Sequence, residues 1–219
     1  LYGKLGTVLD VTSASAAAGT NVQTYTFNQS TAQKWTLLET EKTLYSIMGK
    51  TNVSVSQMVK FYKNKATVSY PYSNVSEAPT IEKFCQIYKE ESEVEGVKAE
   101  VAFAQAMMET GFLKFGGDVK KDQYNFAGIG AIGGGSSGAK FDSIRIGIRA
   151  HVQHLKAYAS KEALKQPVVD PRFQYVKRGS AEYVQWLGQK ENPNGYGWAT
   201  AKNYGNNIVK LYILPMKKY

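Results

Sequence analysis

Glu109 is the residue with the clearest chemistry in this chain. It stands near the end of residues 97–111, Val-Lys-Ala-Glu-Val-Ala-Phe-Ala-Gln-Ala-Met-Met-Glu-Thr-Gly. A helix stacks Lys98, Gln105 and Glu109 in one polar line, because they are spaced seven and four residues apart. Most of the remaining surface is apolar. Val97, Val101, Ala104 and Met108 recur at helical spacing, and Phe103, Ala106 and Met107 widen the stripe. A helix of this kind belongs inside a domain, and Gly111 is a suitable residue to end it. Glu109 then falls in the last turn, where the helix dipole disfavours a carboxylate. Met107, Met108 and Phe112 disfavour the charged form further. A carboxylic acid still protonated near neutral pH can act as a general acid. The alternative is a solvated Glu at a helix end.

Other residues with reactive side chains read differently. His151 and His154 lie three apart on one helical face, but there is no third histidine and no H-E-x-x-H, so a packed or solvated pair is expected and no metal site. Gly128 to Gly133 satisfies G-x-G-x-x-G. Gly134-Gly135-Ser136-Ser137-Gly138 follows, which cannot open the helix a dinucleotide site needs, so the stretch reads as a loop beside a groove. The single cysteine, Cys85, falls on the apolar face of a helix and reads as a small hydrophobe. G-x-S-x-G is absent. No cofactor is implied.

The elements that must position Glu109 follow from periodicity. Thr80 caps a helix whose face is Ile81, Phe84, Cys85 and Tyr88. A helix over 143–160 presents Ile144, Ile148, Val152, Leu155 and Ala159. A shorter one runs from Ser180 to before Gly188. A last one covers about 199–212, with Tyr204, Ile208 and Leu211 on one face and Pro215 ending it. Residues 112–141 are irregular, rich in Gly and aromatics. Residues 1–40 differ. Val8-Leu9-Asp10-Val11, Val22-Gln23-Thr24-Tyr25 and Trp35-Thr36-Leu37 are short strands divided by Gly, Asn and Ser clusters. Residues 41–79 read as a connecting region with one short helix near 54–62, capped by Ser54 or Ser56. The expected division is therefore 1–40, 41–79 and 80–219.

The chain has 219 residues, 43% hydrophobic, with 15 Tyr and a formal net charge of +9 at pH 7. That suits a folded domain with a smaller companion. The charge favours polyanions. Lysines are dispersed rather than clustered with aromatics, which argues against nucleic acid. No apolar run approaches the ~20 residues that span a bilayer, so no membrane insertion is expected. With Leu first and no signal peptide in view, the chain reads as a mature or truncated fragment. A monomer is expected.

At Gln33-Lys34-Trp35 a resemblance enters. LDV…GTNVQTYTFNQSTAQKW resembles one repeat of a ricin-type β-trefoil lectin with its Q-x-W signature, and two further repeats are expected upstream. The resemblance implies a sugar site on Asp10, Gln23 and Tyr25. A further polar residue of that site falls on Ala32 here, so the repeat reads either as a sugar site or as scaffold.

A second resemblance spans roughly residues 80–215. AEVAFAQAMMETG, QYNFAGIGA, FDSIRIGIRAHVQHLKAYAS and GYGWATAKNYGNNI, in that order, resemble the N-acetylglucosaminidases of bacterial autolysins. It implies an α+β fold: a mainly helical lysozyme-like catalytic domain with a small β-lobe, preceded by the short N-terminal β segment as a partial β-trefoil. It implies Glu109 as the acid that protonates the glycosidic oxygen after N-acetylglucosamine. Tyr204 then lies near the reacting sugar, and Gln105, Tyr124, Asn125, Phe126, Gly128 and Trp198 contact substrate. Tyr204 also falls on an apolar helix face, which core packing explains equally.

Glycoside hydrolysis usually takes a second carboxylate, about 5–5.5 Å from the first for retention and about 6.5–9.5 Å for inversion. Asp142 ranks first because it follows the glycine loop; Asp118 and Asp122 are alternatives, as is the substrate's own N-acetyl group. Other outcomes of the same fold are a muramidase, a lytic transglycosylase or a non-catalytic glycan-binding protein. Implied partners are peptidoglycan glycan strands and anionic wall polymers. The implied location is secreted or at the cell wall, or release as a phage-type lysin.

Overall fold

The computed structural model describes residues 6–17, 19–34, 43–131 and 138–219. The chain forms two compact units, Leu1–Thr43 and Leu44–Tyr219.

In the first unit, β1 (Thr7–Val11) and β2 (Val22–Thr26) form an antiparallel hairpin, with Asp10 opposite Gln23 and Val8 opposite Tyr25. Val8 and Asp10 alternate onto the covered face, as a two-residue period requires. The strand expected at 35–37 lies outside the described residues.

The second unit is helical. Ser54 caps α1 (Val55–Lys65) through a reciprocal box: the Gln57 N–H donates to the Ser54 hydroxyl, and the Ser54 N–H donates back to the Gln57 side chain. α2 (Ile81–Glu95) starts at Thr80, whose hydroxyl accepts from the Lys83 N–H, and stops at Gly96 in the left-handed region. α3 (Ala99–Thr110) stops the same way at Gly111. Ser143 caps α4 (Ile144–Ala159). All five core positions expected on α4 are buried.

Four expectations change. Residues 44–79 do not merely connect. Val53, Met58, Phe61, Tyr62, Tyr72 and Ala78 join one core cluster with α2, α3 and α4, because that stretch carries enough apolar surface to need burial. The helix expected after Ser180 is a single 3-10 turn, Val184–Leu187. The last helix starts five residues later than expected, as α5 (Tyr204–Asn207). It continues as π-helical turns over Ile208–Ile213 and closes with α6 (Leu214–Met216). Pro215 sits in the first turn of α6 rather than ending the helix, since an N–H is not needed there. The expected lobe after α3 holds turns and one 3-10 turn, Lys121–Gln123, with no strand among its described residues.

Two close approaches fix what surrounds α3. A Cβ on Gly147 of α4 would lie 1.8 Å from the Tyr124 carbonyl oxygen, so the loop from Tyr124 rests directly on the α4 backbone. A Cβ on Gly205 would lie 1.9 Å from the Val184 carbonyl oxygen, which seats the start of α5 against the 3-10 turn. Backbone cannot move aside as a flexible side chain does. Gly147→Ala is expected to cost roughly 1–3 kcal/mol, as overpacking does. Urea unfolding followed by circular dichroism measures it, and an unchanged midpoint would mean that the contact is not tight in solution.

α2 and α4 are also joined by charge. Arg145 reaches Glu90 at 2.8 Å and Glu91 at 2.7 Å, and Arg149 reaches Glu91 at 2.9 Å. Among the described residues no helix is long and apolar enough to cross a membrane.

Candidate functional site

α3 is buried almost all round. Its Glu100 is fully buried and accepts from the Tyr45 hydroxyl at 2.7 Å. Lys98 precedes the helix and donates to the Ser46 hydroxyl at 2.6 Å. Glu109 is the exception, a carboxylate in the last turn that remains open to solvent. Immediately after it the backbone winds left-handed at Gly111, Phe112 and Leu113, and again at Phe115. Non-glycine residues rarely hold such angles without support. Here the Leu113 N–H donates to the Thr110 hydroxyl at 3.0 Å, and the Phe115 N–H to the Thr110 carbonyl at 2.8 Å. Phe112 stacks on Tyr212 at 5.6 Å.

That reversal leaves a cavity of about 180 Å³ in front of Glu109, lined by Thr110, Phe115, Asp118, Asn125, Gly128 and Ala131 among others. Glu109 has solvent-facing surface, yet protein crowds it from most directions. That crowding holds its carboxyl above the usual range, opposed by a hydrogen bond donated from the Tyr204 hydroxyl. The crowding outweighs the bond, as the sequence reading of the last turn expects, although packing rather than the dipole is the main cause.

Behind Glu109 stands a buried polar chain. Gln105 Nε2 donates to the Tyr204 hydroxyl oxygen at 2.8 Å. Gln105 Oε1 lies 2.9 Å from His151 Nε2. His151 Nδ1 lies 3.2 Å from the Tyr88 hydroxyl. Tyr88, Gln105 and His151 are wholly buried, and Tyr204 is 7% exposed. Burial pushes the His151 imidazole down to about 3 and the Tyr204 phenol well up. Both are therefore neutral at neutral pH.

The expected site residues separate accordingly. Glu109, Asn125 and Gly128 meet at the cavity. The Asn125 amide turns inward. It donates to the carbonyls of Ile129 at 2.9 Å and Ala139 at 3.0 Å, and accepts from the Ile129 N–H at 3.0 Å, so it shapes the loop that walls the cavity. Gln105, expected to touch substrate, is instead sealed behind Tyr204 because α3 has no solvent face at that position. Phe126 is also wholly buried, edge-on to Phe84 at 5.1 Å, where its apolar ring belongs. Tyr124 is partly exposed and packs on Tyr72. Trp198 covers His154 at 4.6 Å, away from the cavity lining. Asp142 is exposed and does not line the cavity, whereas Asp118 does. The cap of α4 is the neighbouring Ser143.

The two histidines are packed, as expected. His154 Nδ1 meets Asp170 at 2.7 Å. Cys85 is in the core, and burial raises its thiol well above the ordinary value, which excludes a thiolate nucleophile. Gly128 and Gly130 both take left-handed angles in a turn; the rest of that glycine run lies outside the described residues, apart from Gly138.

In the hairpin unit, Asp10 is buried and both oxygens are occupied. Gln23 donates to one at 3.3 Å and Gln33 to the other at 3.1 Å. Gln33 also donates to the Thr26 carbonyl at 2.9 Å. Asp10 and Gln23 are thus brought together and Tyr25 is exposed two positions on, but the carboxylate already serves the hairpin. Gln33 is the partner that the sequence reading overlooked beside Ala32. The Q-x-W motif itself was the signal.

Comparison with known proteins follows this geometry. A ricin-type beta-trefoil lectin domain-like model matches residues 3–68, so its later part falls on residues that fold with the helical unit. An uncharacterized protein of Borreliella burgdorferi is 46% identical over 132 residues, 60% of this chain and 61% of that protein. The chain thus spans about three fifths of that relative's length. Autolysin E of S. aureus, solved in complex with muropeptide NAM-L-ALA-D-iGLU, is similar with a TM-score of 0.52 and 19% identity over 99% of this chain and 86% of that one. A catalytic mutant of the same autolysin with disaccharide NAG-NAM gives 0.52 and 18% over 83% and 74%. At that identity the likeness establishes the lysozyme-like autolysin fold. A glucosaminidase model, described as mannosyl-glycoprotein endo-beta-N-acetylglucosaminidase, matches residues 85–213, more than half of the chain, and the chain belongs to that family.

Proposed function

We propose that this protein hydrolyses the β-1,4 bond after N-acetylglucosamine in bacterial cell-wall glycan, with Glu109 as general acid. The observation that carries the reading is Glu109 itself: a carboxyl held above its ordinary range at the end of a buried helix, facing a cavity and anchored by Tyr204. Such a group retains its proton at a pH where an ordinary carboxyl has lost it, and can pass that proton to a leaving oxygen. The solved autolysin complexes with wall fragments support the substrate class. The site of action is then the cell wall, reached by secretion or by release as a lysin. The net charge of +9 favours a wall rich in anionic polymers.

The test is to digest purified peptidoglycan, reduce the products with borohydride and identify the reduced sugar by mass spectrometry. Reduced N-acetylglucosamine ends are expected. Reduced or anhydro muramic ends would instead indicate a muramidase or lytic transglycosylase, and no release would indicate a glycan-binding protein.

Asp118 supplies the second carboxylate in this reading, because it shares the cavity with Glu109. Asp118→Asn is expected to lower turnover on the order of 10²-fold, the lower range for a catalytic acid or base. Asp142→Asn is expected to leave turnover near that of the parent. The reverse ranking would reassign the role to Asp142. Little effect from either would favour participation of the substrate's N-acetyl group.

A further inference from the structure

The chain Tyr88–His151–Gln105–Tyr204–Glu109 has a direction, and each link sets the next. An ionised Glu109 can only accept, so the single Tyr204 proton points at Glu109 Oε1. The Tyr204 oxygen then accepts from Gln105 Nε2, which turns Gln105 Oε1 toward His151. Oε1 can only accept, so His151 Nε2 carries the ring proton. A neutral ring has one N–H, which leaves Nδ1 bare to accept from the Tyr88 hydroxyl. Each link in this arrangement pairs a donor with an acceptor, and a buried network is firmer the more of its groups are satisfied.

The polarity has a consequence at the far end. When Glu109 takes up a proton, Oε1 is already occupied as an acceptor. A proton placed there would turn Oε1 into a hydroxyl oxygen and weaken the bond it accepts from Tyr204, which favours protonation at Oε2. No described residue bonds to Oε2.

We propose that Tyr88, His151 and Gln105 are positioning residues, whose hydrogen-bonded chain fixes the direction of the Tyr204 hydroxyl and so reserves Oε2 of Glu109 for the acidic proton. The proposal deepens the glycosidase reading and rests on it for the use made of that proton. His151 touches neither substrate cavity nor Glu109 and acts only through Gln105 and Tyr204. The titratable groups facing Glu109 are Tyr204, Tyr212 and Asp118 across the cavity. Those facing His151 are Tyr88 and His154. Tyr204, Tyr212, Asp118 and Tyr88 carry no positive charge, so beside the burial that raises Glu109 it is the Tyr204 hydrogen bond that acts on its carboxyl.

The experiment uses the full chain labelled with ¹³C at the glutamate side-chain carboxyl. Glu109 is assigned by the signal missing from Glu109→Gln. Its titration is followed in the parent, in His151→Phe and in Tyr88→Phe, beside kcat and KM for peptidoglycan across pH. The Tyr204 bond lowers the Glu109 carboxyl, so freeing that hydroxyl to turn away moves the titration to higher pH. His151→Phe is expected to shift the Glu109 midpoint and the basic limb of the rate profile upward together, with kcat down roughly tenfold, about one lost hydrogen bond to a charged group, and KM little changed. Tyr88→Phe is expected to act in the same direction, more weakly. A Glu109 midpoint identical to the parent in folded His151→Phe would overturn the proposal, since a residue that only fills the core moves stability and not this titration. If His151→Phe does not fold, Tyr88→Phe decides by the same reading. Shifted midpoints in a protein that releases no glycan would uphold the hydrogen-bond chain and reject the glycosidase reading alone.

Discussion

Glu109→Gln is expected to lower glycan hydrolysis by about 10³-fold, within the range that a positioned general acid contributes, while binding to the wall persists. Gln keeps the shape of the side chain and can still accept from Tyr204, so the cavity is preserved and only the transferable proton is removed. Reducing-end release from purified peptidoglycan measures the loss, and co-sedimentation with the same material measures binding. A variant with near-parental turnover would remove Glu109 from the chemistry. The pH dependence has a definite sign. With Glu109 as the proposed general acid the protonated form is the active one, its carboxyl is raised, and activity is therefore expected to extend above the ordinary carboxylate range before falling as pH rises. The same shift works against stability. A carboxyl raised on folding contributes fully below its unfolded value, and that contribution is lost as pH rises through the folded value. Glu109→Gln is thus expected to leave the melting temperature at neutral pH unchanged or higher. This is the usual trade at an active site, where function is kept at some cost to stability.

The second large effect lies far from the cavity. Lys156 of α4 and Glu95 of α2 form an ion pair at 2.9 Å, with both side chains almost wholly buried. Glu95 also accepts from the backbone N–H groups of Lys165 and Gln166 at 3.0 Å. Glu95→Ala strands an ammonium and two N–H donors inside the protein. Breaking a buried pair this way is expected to cost about 3–5 kcal/mol, which for a domain of this size lowers the melting temperature by roughly 10 °C. Scanning calorimetry checks it. Lys156→Met combined with Glu95→Gln should recover much of the loss. The charge is then removed on both sides, and the Gln oxygen still accepts from the 165–166 backbone. A single Glu95→Ala variant as stable as the parent would show that water reaches Lys156.

These residues also show what was legible without a structure. Ile144, Ile148, Val152, Leu155 and Ala159 were readable as a buried face because helical periodicity is local and the core is apolar. Thr80, Ser54 and Gly111 were readable as caps, because capping satisfies groups within one turn. The raised carboxyl of Glu109 was readable for the same reason, from its position in the last turn and its immediate neighbours. The late start of α5 and the π turns after it were not. Gly205 seats on the Val184 carbonyl, a contact made across the fold that propensity does not encode.

Sequence alone, then, determined α1 to α4, their buried faces, the carboxyl at the end of α3 and the family resemblance, since each rests on residues a few positions apart. Tertiary structure alone decided the company Glu109 keeps. Tyr204 meets it from 95 residues away and His151 joins Gln105 across 46. Gln105 was moved from the groove to the interior, Asp118 came to the cavity in place of Asp142, and Gln33 was revealed as the partner of Asp10. A hydrogen bond needs about 3 Å and a suitable angle, and spacing along one element says nothing of what a second element brings to that distance.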